Sequence, residues 1–156
     1  MRINDCGRTR VSLSMSQDTV KQDIQKFWGS LYDSLYEHVD RELTRKQLLT
    51  GLDDLEDMFR FREHMAVADM PLSSLSGQRI LEIGPGAGGH SALFAKYGAD
   101  VISADITFAR ARSTQAKFNL MNEMAVDCQA IQSDAETLPF ADNSFDIVYS
   151  NGVLHH

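Results

Sequence analysis

Cysteine is scarce in this chain. Cys6 and Cys128 are the only two, they lie far apart, and neither belongs to a C-x-x-C pair. That excludes a disulfide framework and a thiolate zinc motif and leaves two reduced thiols. Basic charge is also short: 15 Lys and Arg stand against 22 Asp and Glu, a net charge of −7. A partner held mainly through phosphates needs a concentrated cationic face, so nucleic acid is set aside in favour of a small molecule. No apolar run approaches the roughly 20 residues that span a bilayer, and the opening MRINDCGRTR carries no apolar segment behind its charges. The expectation is a cytoplasmic protein without a membrane partner. No Lys-Ser or Lys-Thr pair follows the glycine cluster and no H-E-x-x-H occurs, which removes Walker-type phosphate chemistry and the commonest zinc-hydrolase signature.

What is present is ordinary globular composition, 43% apolar and 24% charged over 156 residues. A chain of this size buries roughly 70% of its unfolded surface, enough for one domain and a helical appendage. Residues 1–15 show no periodicity and read as a loose arm. From Ser16 onward Val20, Ile24, Phe27, Trp28, Leu31 and Leu35 recur at helical spacing, with Gly29 as a point of bending or division. A second helical pattern runs from about Leu52 to Ala68 and ends before Pro71 and SSLSG. Residues 16–77 therefore read as a helical cap or extension of two or three helices.

From residue 78 the pattern alternates. RILEI is a strand; GGHSALFAKYG is a helix closed by Gly98; DVISAD is a strand; Thr107 caps a helix through FNLMN. VDCQAIQ is a third strand, less apolar and so nearer a sheet edge, and FDIVYS is a fourth. Strands alternating with helices predict an α/β fold with a parallel sheet. Its ligand is expected at the carboxyl ends of the strands, where EIGPGAGG, SADIT, QSDAE and YSNGV gather carboxylates and small residues.

LEIGPGAGG lies between a strand and a helix, where glycines allow tight turns and close approach of a ligand to the backbone. Gly84, Gly86 and Gly89 fit G-x-G-x-x-G, and Gly84, Gly86 and Gly88 fit G-x-G-x-G. By itself the loop does not choose between a dinucleotide and another adenosine cofactor. Glu82 sits where a dinucleotide loop more often carries an apolar residue, and its carboxylate suits a cationic ligand or the loop's own amides. Asp105 ends the second strand, where a carboxylate can accept from both ribose hydroxyls or cap a turn.

LEIGPGAGG, ADIT, SDAETLPF and FDIVYSNGVLHH, in that order, resemble the successive motifs of class I S-adenosylmethionine-dependent methyltransferases, particularly the small-molecule group that includes quinone-biosynthesis enzymes. The resemblance covers about residues 79–156. It implies a Rossmann-like sheet with helices on both faces and S-adenosylmethionine as cofactor. Gly84, Gly86 and Gly88 would pass close to its methionine part and ribose, and Glu82 would orient the loop and, directly or through water, the ligand's polar end. Asp105 would hold the ribose and Ile106 the adenine face; Asp134 and the backbone of Ala135 would meet the adenine's polar edge, and backbone groups around Asn151 the methionine amino end. These roles agree with the residue chemistry, since Ile106, Leu138, Asp134 and Ala135 can supply the apolar wall and directional polar groups that a purine needs.

Methyl transfer from a sulfonium leaves a neutral group, so a base is optional. His155 and His156 are the candidate catalytic bases for an acceptor that loses a proton, and adjacent side chains that diverge make a poor metal pair. Phe27, Trp28, Tyr32 and Tyr36 are candidates for a lid or acceptor-pocket surface, or for plain core. The family sheet has seven strands, commonly ordered 3-2-1-4-5-7-6, whereas this chain reads as strands 3-2-1-4. Residues 78–156 are therefore expected to be the N-terminal half of such a domain, either truncated after the fourth strand or completed by a partner or self-association along that strand's exposed edge. The functional expectation is an enzyme acting on a small-molecule acceptor. A non-catalytic cofactor-binding fragment or interaction module and an NAD-dependent oxidoreductase remain open alternatives.

Overall fold

A computed structural model of the chain describes residues 17–35, 37–121 and 127–153. Helix α1 is Gln17–Leu35, α2 Glu37–Glu42, α3 Arg45–Phe61 and α4 Met65–Ala68, followed by a 3-10 turn at Leu72–Ser74. The alternating part is β1 (Arg79–Ile83), α5 (Gly89–Lys96), β2 (Asp100–Asp105), α6 (Phe108–Leu120), β3 (Gln129–Gln132) and β4 (Ile147–Ser150).

All three strand pairings are parallel and the sheet order is β3-β2-β1-β4, as the alternation implied. Register pairs Ile80 with Val101 and Ile147, and Glu82 with Ser103 and Tyr149. Central β1 buries Ile80, Leu81 and Glu82, while edge strand β3 keeps Gln129 and Gln132 exposed. The core lies between the sheet and its helices: Ile80, Val101 and Tyr149 meet Ala92, Leu93, Phe94 and Ala95 of α5 and Leu48, Leu52 and Phe59 of α3. On β4 the neighbouring Val148 is 63% exposed, and among the described residues no strand pairs with that edge.

The N-terminal helices differ in detail from the sequence reading. α1 runs through Gly29 without a break, but half of its expected stripe faces outward, with Val20, Phe27 and Leu35 exposed. The inward row is Lys21, Ile24, Gln25, Trp28 and Tyr32, at the same three- and four-residue spacing. Periodicity identifies a helix, and the polar partners offered by α6 and the strand-end loops choose its side. The second helix starts at Arg45 rather than Leu52, because Thr44 and Gln47 form a reciprocal capping box there. It stops at Phe61; Glu63 then takes a positive φ of 49° before α4 resumes. In the alternating part, Thr107 caps α6 by accepting from the Arg110 amide, and Gly98 follows the last turn of α5. No described helix is long and apolar enough to cross a membrane.

Candidate functional site

A cleft of about 390 Å³ opens at the carboxyl ends of the four strands. Ile83, Gly84 and Gly86 form its floor after β1, and Ala104, Asp105 and Ile106 enter from β2. Ser133, Asp134, Ala135 and Glu136 follow β3, and Asn151, Gly152 and Val153 follow β4. α1 closes the remaining side with Lys21, Ile24 and Trp28, and α6 contributes Arg110.

The glycines have separate tasks. Gly84 has φ +69°, and a Cβ there would come within 2.3 Å of Val153 Cγ2, so its bare backbone lets the Val153 side chain of the β4 loop pack directly against the glycine loop. Gly88 has φ +79°, and a Cβ would meet Thr114 Oγ1 at 2.6 Å and Thr114 Cα at 2.9 Å. Gly88 stands outside the cleft lining and lets the loop pack on α6.

Asp105 is the buried carboxylate of the cleft, 5% exposed. Its Oδ1 accepts from the Thr107 amide at 2.8 Å and the Thr107 hydroxyl at 2.9 Å. Burial pushes its pKa above the ordinary value, opposed by the Thr107 bonds, the Arg110 charge and the Gly86 amide. Asp134 behaves oppositely. Lys21 Nζ donates to its Oδ2 at 2.5 Å, the Glu136 amide donates to its Oδ1 at 2.9 Å, and these hold its pKa down. Lys21 also reaches Glu136 at 2.6 Å, and bonding to both carboxylates holds its own pKa up. Gln25 Nε2 donates to the Ile106 carbonyl at 2.8 Å, and the Arg110 guanidinium lies 5.3 Å over the Trp28 ring.

Glu82 lies behind this floor. It is 2% exposed and accepts from Ser91 Oγ, which in turn sits 2.5 Å from Ser103 Oγ. His90 Nδ1 is 3.9 Å from Glu82 Oε1 and shares a 3.0 Å hydrogen bond with the Tyr149 hydroxyl. Burial raises the Glu82 pKa to about 7, and burial with the neighbouring His64 lowers that of His90 to about 4.

Of the residues singled out by sequence, Gly84, Gly86, Asp105, Ile106, Asp134, Ala135 and Asn151 line one cleft, whereas Glu82, Gly88 and Leu138 do not. Trp28 lines it; Phe27 is 59% exposed and packs edge-on against Trp28 at 5.2 Å. Tyr32 is buried elsewhere, its hydroxyl on Asp40, which also takes Lys117 at 2.7 Å. Tyr36, His155 and His156 lie outside the described residues. Sequence reading missed Lys21, Arg110, Glu136 and Val153. Only their meeting in space marks them, as two cations in a lining otherwise neutral or acidic. Among the described residues no group of three or more His, Cys, Asp or Glu gathers as a metal site.

A family profile described as a methyltransferase domain matches residues 81–156. The demethylmenaquinone methyltransferase of Renibacterium salmoninarum is 30% identical over 96 residues, 62% of this chain and 38% of the relative. Haemonchus contortus phosphoethanolamine N-methyltransferase 1, solved with phosphoethanolamine and S-adenosylhomocysteine, aligns over 87% of this chain and 26% of its own, with a TM-score of 0.59 and 20% identity. Magnesium protoporphyrin IX methyltransferase from Synechocystis, solved with S-adenosylhomocysteine, aligns over 86% of this chain and 59% of its own, with a TM-score of 0.55 and 19% identity. These two likenesses are of fold. The chain spans less than half the length of the curated relatives it matches. The methyltransferase-domain match thus spans just under half of the chain, and the parallel sheet of order 3-2-1-4 with its strand-end cleft is the fold shared with these methyltransferase structures.

Proposed function

We propose that the cleft binds S-adenosylmethionine and that the protein transfers its methyl group to a small-molecule acceptor. The observation that carries this reading is the convergence of a glycine-rich floor, a buried carboxylate and an apolar wall at the ends of parallel strands. The residues fit the cofactor. Gly84 exposes loop backbone to the cleft without a side chain of its own, and Asp105 offers a buried acceptor to ribose hydroxyls. Ile106 and Ala135 offer flat apolar contact for a purine. Three carboxylates against two cations in the lining suit a ligand whose reacting centre is positively charged.

In this reading Asp105 holds the ribose, Asp134 and the Ala135 backbone meet the adenine edge, and the Gly84–Gly86 backbone runs under the ribose and methionine. Backbone groups around Asn151 face the amino end. Glu82 and Gly88 act indirectly, Glu82 by fixing Ser91 at the start of α5 and Gly88 by letting the loop lie on α6. Residues 78–156 form the cofactor-binding half, and residues 16–77 cap it through α1.

When bound, S-adenosylmethionine supplies an electrophilic methyl group on a sulfonium that departs as a neutral thioether. The chain's contribution is to fix the cofactor's orientation and keep water out, which Trp28 and Ile24 do from α1. His155 and His156 have a proton-accepting role only where the acceptor loses a proton on methylation. The relatives that carry the demethylmenaquinone methyltransferase name support a small organic acceptor.

Asp105→Ala tests the reading. S-adenosylhomocysteine affinity, measured by calorimetry, is expected to fall at least about tenfold with the fold retained by circular dichroism, since a buried carboxylate-to-hydroxyl contact is worth roughly 1.5–3 kcal/mol. Unchanged affinity would remove the ribose assignment.

A further inference from the structure

Arg110 is 8% exposed, yet its Nε has no hydrogen-bond partner, and no hydrogen bond or ion pair from its guanidinium is found among the described residues. A guanidinium cannot shed its charge, and it presents five N–H donors in a plane. Leaving the buried Nε–H without a partner is costly. Trp28 answers part of that charge through its ring face, 5.3 Å away, but a ring face accepts none of the in-plane N–H groups. Asp105 is close enough for the Arg110 charge to favour its ionised form, but Oδ1 of that carboxylate is already taken by Thr107. Arg110 also lines the cleft directly, and its Nη1 is 3.3 Å from where a Cβ on Gly86 would stand.

We propose that Arg110 is the donor half of a diol clamp whose acceptor half is Asp105. The inference rests on the cofactor reading above and names a residue that this reading does not use. A hydroxyl both donates and accepts. Asp105 can only accept and Arg110 can only donate, so a vicinal diol lying across the Gly86 backbone pairs with both at once. A ligand with one hydroxyl removed leaves a buried donor or acceptor unmatched. Trp28, stacked on the guanidinium, holds its plane in the required attitude. Arg110 is therefore a specificity residue for ribose over deoxyribose.

The test is a ligand-by-variant cycle on the 156-residue chain, read by calorimetry. The ligands are S-adenosylhomocysteine, its 2′-deoxy and 3′-deoxy analogues, and 5′-methylthioadenosine; the proteins are wild type, Arg110→Met and Arg110→Gln. Arg110→Met is expected to bind S-adenosylhomocysteine about tenfold more weakly. For at least one deoxy analogue, the losses from variant and ligand should fall short of multiplying by a factor of about three or more, the signature of a direct contact. A shortfall below that factor for both analogues overturns the proposal. So does a variant penalty that disappears with 5′-methylthioadenosine, because that would assign Arg110 to the ligand's carboxylate. If Arg110→Met fails to fold, Arg110→Gln carries the same cycle with one neutral donor kept. Wild-type protein that binds none of these ligands contradicts the underlying cofactor reading, and this is seen before any variant is examined.

Discussion

A carboxyl group shut away from water resists ionising even where a serine hydroxyl donates to it. Glu82 is raised from 4.5 to about 7 and His90 is lowered from 6.5 to about 4, so their contributions to stability have opposite signs. Between pH 4.5 and 7 folded Glu82 holds a proton that the unfolded chain has lost, and its contribution falls as pH rises. Between pH 4 and 6.5 unfolded His90 holds a proton that the folded chain lacks, and its contribution rises. Over the shared window both states bind one proton at this pair and the two slopes cancel. Urea denaturation at a series of pH values should expose this. Relative to wild type, Glu82→Gln should gain stability with rising pH over about pH 4.5–7, and His90→Asn should lose it over about pH 4–6.5, each by about 3 kcal/mol. Variants that track wild type would mean the pair ionises normally. Gly88 gives a simpler case. Alanine there meets the Thr114 backbone at 2.9 Å in a left-handed conformation, and a loss of about 2 kcal/mol or more in Gly88→Ala is expected in the same assay. Sequence marked both residues, because a glycine loop and an acid beside it are local features. That Glu82 faces Ser91 and Ser103 rather than the cleft depends on the pairing of β1 with β2, which no local pattern states.

At the scale of elements, the strand-helix alternation was legible almost to the residue, since each strand is a short apolar run and Thr107 and Gly98 punctuate the helices. The N-terminal helices were less so. The apolar spacing of α1 fits two adjacent faces, and the buried one is set by Lys21, Gln25 and Trp28 reaching groups more than 80 residues away in sequence. The start of α3 was readable in principle from T-x-x-Q, a polar signal overshadowed by the hydrophobic pattern. α1 is fastened across the cleft in part by Lys21, between Asp134 and Glu136. Lys21→Met should therefore raise amide hydrogen exchange across 17–35 while leaving α3 and α5 as protected as before, and about 1 M salt should do the same to wild type by screening the exposed pair. Unchanged exchange in α1 would show that Gln25, Trp28 and Tyr32 hold it without Lys21.

For the whole molecule, a parallel sheet of order 3-2-1-4 brings four separate loops to one rim, and this concentrates chemistry scattered over seventy residues of sequence into one cleft. Order and spacing of motifs made that rim predictable. The cations Lys21 and Arg110 were not predictable, because each enters from a helix whose rotation only packing decides. The central claim is that this rim is built for an adenosyl sulfur ligand. Calorimetric titration of the 156-residue chain with S-adenosylmethionine, S-adenosylhomocysteine and NAD tests it most directly. Saturable one-to-one binding of both sulfur ligands with no heat from NAD is the result expected, whereas binding of NAD in place of the sulfur ligands would contradict it.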